Sequence, residues 1–95
     1  MMISTDMVPV KNPEVIGRIL NNEAVLVLPG KGQVKVVNEV GTRIWSSIDG
    51  IRTVGDIITI IQAEYAVGEQ EASEDISTFL SKLADRGIIT FMASN

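Results

Sequence analysis

Two pairs of carboxylates are the residues of this chain whose types and spacing come nearest to supporting catalysis. Glu69 and Glu71 lie one residue apart, and Glu74 and Asp75 are adjacent. Paired carboxylates can act as a general acid and a general base when a substrate lies between them. Here they fall at the start and on the polar side of a predicted helix, where ionised acids are solvated. Because no base, nucleophile or metal ligand accompanies them, the sequence predicts no enzyme.

Cysteine and histidine are both absent from the 95 residues. The chain therefore lacks disulfides, thiolate nucleophiles, imidazole bases and the usual ligands of zinc and iron. The segment Pro29-Gly30-Lys31-Gly32 superficially resembles a phosphate-binding loop, but it lacks the Gly-Lys-Ser/Thr ending and leads into a predicted strand. A plain turn is the better interpretation, and we expect neither a cofactor nor a metal ion.

Charge is distributed unevenly along the chain, which carries a net charge of −4. Residues 1–52 contain six Lys/Arg and five Asp/Glu, whereas residues 53–95 contain two and seven. The acidic second half would repel a phosphate backbone, because nucleic-acid affinity depends on Lys and Arg. No nucleic-acid partner is expected.

Length and hydropathy predict one small domain in the cytoplasm. With 45% hydrophobic residues, the chain suits a single hydrophobic core. Its longest apolar stretches are too short to cross a membrane, and no signal peptide opens the chain. We expect a flexible N-terminal arm over residues 1–12, a domain over residues 13–91 and a C-terminal tail over residues 92–95.

A three-stranded antiparallel meander is predicted for the first half of the domain. Val15 to Leu20 and Glu23 to Leu28 flank Asn21-Asn22, two residues that tolerate the positive φ angles of a type I′ turn. Gln33 to Val37 alternates polar and apolar residues and forms a third strand, free to be an edge. Met7 to Lys11 could add a short edge strand, limited by Pro9.

Three helices are predicted after the meander. Asn38 is a natural N-cap, Gly50 a natural stop, and Thr53 with Asp56 resembles a capping box that starts the second helix. In the first helix, Trp45 is expected in the core, Ile51 is expected to pack against it, and Gly41 suggests the close approach of another backbone or is merely tolerated. The third helix begins after Gly68 and stops at Gly87, which gives an α+β fold with helices on one face of the sheet.

An edge strand beside a helix could bind an extended peptide by strand addition. Side chains of the third helix would then supply an apolar floor with cationic rims. On the sequence alone, an edge protected by Lys35 and a helix whose apolar residues all lie in the core is the stronger interpretation. The candidate peptide-binding residues are Gln33, Val34, Lys35, Val36, Val37, Ile76, Phe79, Lys82, Leu83 and Arg86.

Asn38 to Ile57 closely resembles the PqqD family, whose members include coenzyme PQQ synthesis protein D and related recognition elements of ribosomally made, modified peptides. The shared pattern is N-E-x-x-x-x-I-W-x-x-I-D-G-x-R-T-V-x-D-I, and Asp75 to Ile88 adds D-I-x-x-F-L-x-x-L-x-x-x-G-I. The resemblance implies a winged helix-turn-helix-like domain that binds the leader segment of a precursor peptide. It further implies a non-catalytic chaperone that presents this peptide to a modifying enzyme, a radical SAM protein in PQQ biosynthesis.

The resemblance also implies where the peptide binds, namely between the third strand and the third helix, and it favours the peptide-binding interpretation of these segments. Two other interpretations remain open. A winged-helix transcription factor would use the same order of helices, although the acidic charge argues against it. A structural subunit or swapped dimer would pair the edge strand with a second copy, so both a monomer and a homodimer are compatible with the sequence.

Overall fold

The computed structural model describes residues 3–93. Four strands come first along this part of the chain, three helices follow, and a fifth strand comes last. Within those residues, the second, third and fourth strands form an antiparallel sheet in chain order, and the first and last strands pair separately. The elements, in chain order, are β1 (Met7–Lys11), β2 (Ile16–Leu20), β3 (Glu23–Leu28), a short 3₁₀ turn (Pro29–Lys31), β4 (Gln33–Val37), α1 (Glu39–Ser47), α2 (Val54–Tyr65), α3 (Glu69–Asp85) and β5 (Ile89–Ala93). The predicted α+β fold, with three antiparallel strands followed by three helices, is confirmed.

The turn between β2 and β3 is formed by two asparagines in the left-handed region. Asn21 has a φ of 53° and Asn22 a φ of 65°. A type I′ turn needs positive φ at both central residues, and its twist matches that of the strands it joins. The predicted hairpin is therefore confirmed, with β2 beginning at Ile16 rather than Val15.

The second sheet joins the two ends of the domain. Met7 lies opposite Ala93, and Lys11 lies opposite Ile89. The strand predicted at Met7–Lys11 is thus present, but the expectation of a flexible arm up to residue 12 is wrong for this segment, because Val8 and Pro9 are buried. Residues 1, 2, 94 and 95 of the predicted arm and tail lie outside the described part of the chain.

Side-chain caps define the start of each of the first two helices. Asn38 accepts a hydrogen bond from the backbone N–H of Gly41 at 2.8 Å. Thr53 and Asp56 form the predicted capping box, in which each side chain accepts a hydrogen bond from the backbone of the other residue. These bonds satisfy N–H groups that a helix start would otherwise leave without a partner.

The joint between α1 and α2 is organised by Asp49. Its carboxylate accepts hydrogen bonds from the backbone N–H groups of Arg52 and Ile51, which hold the pKa of Asp49 below its usual range. Gly50 has the positive φ expected of it, 78°, although α1 already ends at Ser47. The predicted packing of Ile51 against Trp45 is wrong, since Ile51 is 81% exposed; the aspartate, rather than an apolar contact, closes this joint.

The core lies between the three helices and the helix-facing side of β3. Side chains of β3 alternate, so that Ala24, Leu26 and Leu28 are buried. Trp45 is in the core, as predicted, and Lys11 Nζ lies 4.4 Å from the centre of its ring. The isoleucine-rich segment of α2 is helical and buries Ile57, Ile58 and Ile61 against the other helices.

One buried hydroxyl links the sheet to α1. Thr42 Oγ1 accepts a hydrogen bond of 2.8 Å from the backbone N–H of Ala24 and lies 3.5 Å from the carbonyl oxygen of Val37. Ala24 and Val37 are opposite each other at the end of the β3–β4 pair. The Thr42 hydroxyl therefore takes the place of a strand-to-strand bond at the point where β4 leaves the sheet and α1 begins.

Replacing Thr42 by valine should lower the free energy of unfolding by about 1–3 kcal/mol, because the buried N–H of Ala24 would lose its acceptor. Thr42→Ser keeps the hydroxyl and serves as the matched control, with an expected loss of less than about 1 kcal/mol. Urea unfolding followed by circular dichroism measures both. Equal losses in the two variants would contradict the bridging role of this hydroxyl.

Candidate functional site

The free edge of β4 is the first component of the candidate site. The type I′ turn bonds Leu20 to Glu23, and hydrogen-bonded and non-bonded pairs then alternate along an antiparallel ladder. Hence Ala24, Leu26 and Leu28 direct their backbone groups to β4, where their partners are Val37, Lys35 and Gln33. The N–H and C=O groups of Val34 and Val36 therefore point away from β3, and no other strand within residues 3–93 pairs with them.

One face of α3 runs alongside this edge. Asp75, Phe79, Lys82 and Arg86 recur at helical spacing on this face. Near the end of β4, the ring of Phe79 would lie 3.2 Å from a Cβ built on Gly41. Near its beginning, Lys31 Nζ would lie 3.2 Å from a Cβ built on Gly87, just beyond α3. The helix is therefore antiparallel to β4, and the two elements form the walls of a groove.

A cavity of about 310 Å³ lies at the Asn38 end of this groove. It is lined by Asn38, Val40, Gly41, Ile44, Asp75 and Phe79. The close approach suggested by Gly41 exists, but the neighbour is the Phe79 ring rather than another backbone. Apart from Phe79, these residues were not among those predicted for the site from the sequence; the helical Gly41 was the one signal that pointed to this region.

The candidate residues on β4 divide according to the face of the sheet. Val34 and Val36 are 57% and 65% exposed and lie on the face turned away from the helices, in register with Val27 and Val25. Gln33 and Lys35 are half-buried on the helix-facing side. Val37, on that side too, is buried in the core.

The candidate residues on α3 also divide into two groups. Phe79 is half-buried, and Lys82 and Arg86 are exposed, so these three can contact a ligand. Ile76 and Leu83 are almost completely buried. They pack in the hydrophobic core, and their side chains do not form the surface of the groove.

Comparison with known protein families shows which family the chain belongs to. The sequence model described as coenzyme PQQ synthesis protein D (PqqD) matches residues 23–89. The chain belongs to the PqqD family. The matched region runs from the start of β3 to the start of β5 and so contains both walls of the groove. No curated protein sequence gives a significant match to this PqqD-family chain.

Two solved structures resemble this PqqD-family domain over most of its length. One is TbiB1 in complex with the TbiA(beta) leader peptide, with 28% sequence identity, a TM-score of 0.76, and coverage of 84% of this chain and 93% of that chain. The other is lasso peptide synthetase B1 complexed with the leader peptide, with 20% identity, a TM-score of 0.77, and coverage of 86% and 96%. At 20% identity, the second comparison shows a shared fold.

Leu83→Ala should lower the free energy of unfolding by about 2–5 kcal/mol, because it leaves a cavity in the core. Lys82→Ala, at the adjacent exposed position, should change it by less than about 0.5 kcal/mol. Chemical denaturation of both variants measures the difference. A small effect of Leu83→Ala would show that this side chain belongs to the groove surface after all.

Proposed function

We propose that this PqqD-family domain binds the leader segment of a ribosomally synthesised precursor peptide by β-strand addition and presents it to a modifying enzyme. The observation that carries the proposal is the free edge of β4 with one face of α3 beside it. Exposed backbone donors and acceptors on an edge strand are a template for a further strand. The domain itself acts as a chaperone and catalyses no reaction.

In this proposal, the peptide lies antiparallel to β4 and exchanges hydrogen bonds with the backbone of Val34 and Val36. Alternate side chains of an added strand point to opposite faces. One set would enter the groove, where Gln33, Lys35, Phe79, Lys82 and Arg86 provide contacts. The other set would lie beside the exposed Val34 and Val36 side chains. Backbone pairing contributes affinity, and the groove contributes specificity.

The comparisons support this proposal in two ways. The chain belongs to a family named for a coenzyme synthesis protein, and the solved structure with 28% identity is that of a complex with a leader peptide. We further propose that the modifying enzyme is of the radical SAM type if the peptide serves PQQ biosynthesis. The proposed place of action is the cytoplasm, where ribosomes release the precursor.

The limits of the proposed peptide-binding domain follow from its packing. Because β1 pairs with β5 and buries Val8, we place the domain boundary before β1 rather than at residue 13.

Among the described residues, no helix combines the length and apolar character required to cross a bilayer.

DNA binding is less well supported by the same fold. In a helix-turn-helix protein, the second helix of the motif enters the major groove. Here that helix would be α3, whose first two turns carry the exposed carboxylates Glu69, Glu71, Glu74 and Asp75. They would lie against the phosphates and repel them, so α3 is poorly suited to read DNA.

Val36→Pro should weaken binding of the leader peptide by at least about tenfold. Proline removes an outward N–H, and its ring obstructs the added strand, while the neighbouring Lys35 keeps its bonds to β3. Isothermal titration calorimetry with synthetic leader peptides of candidate precursors measures the change.

Ile19→Pro is the matched control for this experiment. Ile19 is exposed and lies on β2, the opposite edge of the same sheet, where its N–H also points outward. Its substitution should leave the affinity within about twofold. If Ile19→Pro abolished binding and Val36→Pro did not, the peptide would bind at β2, and the proposed site would be wrong.

A further inference from the structure

Half of the basic residues of this acidic chain lie around one end of the groove. Of the eight Lys and Arg residues, Arg43 and Arg52 form ion pairs with Glu64 and Asp49, and Lys11 lies over Trp45. By contrast, no carboxylate of residues 3–93 lies within 4 Å of the side-chain nitrogens of the other five. One of the five, Arg18, lies on β2, and the remaining four are Lys31, Lys35, Lys82 and Arg86. These four residues are referred to below as the cationic end of the groove.

Three elements bring the cationic end together. Lys31 lies in the 3₁₀ turn before β4 and reaches the end of α3 near Gly87. Lys35 points to the helix-facing side of the sheet, since it pairs with the buried Leu26. Lys82 lies in the last turn of α3, and Arg86 is its C-cap. Each side chain therefore borders the same section of the groove.

Nearby carboxylates do not neutralise this end. Glu14 lies near Gly30 and Asp85 is adjacent to Arg86, which leaves four positive charges against two negative charges, an excess of two. The opposite end of the groove differs in both charge and polarity. There, the cavity beside Gly41 is lined by the apolar side chains of Val40, Ile44 and Phe79 and by the carboxylate of Asp75.

The direction in which an added strand runs decides which part of the peptide meets each end of the groove. Antiparallel pairing is slightly more stable per residue than parallel pairing. A peptide antiparallel to β4 runs in the same direction as α3, from the cavity towards the cationic end. Its N-terminal part therefore meets the apolar cavity, and its C-terminal part meets the cations.

The spacing follows from the geometry of the two walls. From Phe79, α3 rises about 4.5 Å to Lys82 and about 10 Å to Arg86, at 1.5 Å per residue. Lys31, beside Gly87, extends this section to about 12 Å from Phe79, and an extended strand covers these distances in about one to four residues, at about 3.4 Å each. Because only every second side chain of the strand faces the groove, the residues that can meet the cations are the second and the fourth after the one in the cavity.

We propose that the groove selects an extended peptide in which an apolar side chain, bound beside Gly41 and Phe79, is followed at the second or fourth position by a carboxylate. This inference rests on the proposed function and specifies the class of peptide that the site takes. Specificity comes from charge complementarity at the cationic end and from exclusion of basic residues there.

The test is a selection of random 12-residue peptides displayed on phage against the full chain. Enriched sequences should contain an apolar residue with Asp or Glu favoured two or four residues later, and no such preference at the first and third positions. An individual enriched peptide should bind Lys82→Glu about tenfold more weakly, because an attraction becomes a repulsion. Arg18→Glu, a reversal at an exposed position of β2, should change the affinity by less than about twofold.

The outcomes separate this inference from the proposed function. If peptides are enriched and lose binding to Val36→Pro, but show no acidic preference and bind Lys82→Glu unchanged, the charge inference is overturned while strand addition stands. If no peptide is enriched above background, the proposed function fails and the inference fails with it. Circular dichroism of Lys82→Glu and Arg18→Glu, both substituted at exposed positions, should show unchanged folding.

Discussion

The proposed peptide binding depends on the edge of β4, which no strand within residues 3–93 covers. The backbone N–H and C=O groups of Val34 and Val36 must bond to water or to another chain, because unpaired polar groups are costly once they are removed from solvent. A free edge also risks pairing with other molecules, and proteins commonly place a charge there for protection. Lys35 fits that protective role, as the sequence suggests, and it also borders the groove. Lys35 can thus protect the edge from other molecules and also form part of the border of the groove.

The position of α3 follows from the burial of only one of its faces. Ala72, Ile76, Leu80 and Leu83 attach the helix to the core, while the adjacent face, with Phe79, Lys82 and Arg86, remains available. A helix attached through one stripe can stand beside a strand without covering it. The Phe79 ring at Gly41 and the end of α3 at Lys31 fix the helix at both ends of the groove. The width of the groove is therefore set by the core packing of α3 together with these two end contacts.

Local signals predicted most of the elements. The Asn21-Asn22 turn, the Asn38 cap and the Thr53–Asp56 capping box each depend on residues within a few positions of one another, so their conformations follow from nearby chemistry. The isoleucine-rich start of α2 could have been a strand by intrinsic preference, but its cap specified a helix. The exception was the joint after α1, where an apolar contact of Ile51 was expected and the Asp49 carboxylate instead accepts the backbone hydrogen bonds.

The sequence by itself determined the three strands of the β2-β3-β4 sheet, the three helices, the family pattern and the absence of cysteine and histidine, because these depend on residue types and short spacings. Tertiary structure alone decided which candidate residues reach the groove and which lie in the core: helical spacing places Phe79 and Leu83 on neighbouring positions of one stripe, and only the packing of α3 against the rest of the domain, chiefly α2 and β5, separates them. It also decided the pairing of β1 with β5 and the assembly of four cations from three elements. Contacts between residues far apart in the chain arise from the packing of the whole domain, and no local pattern encodes them.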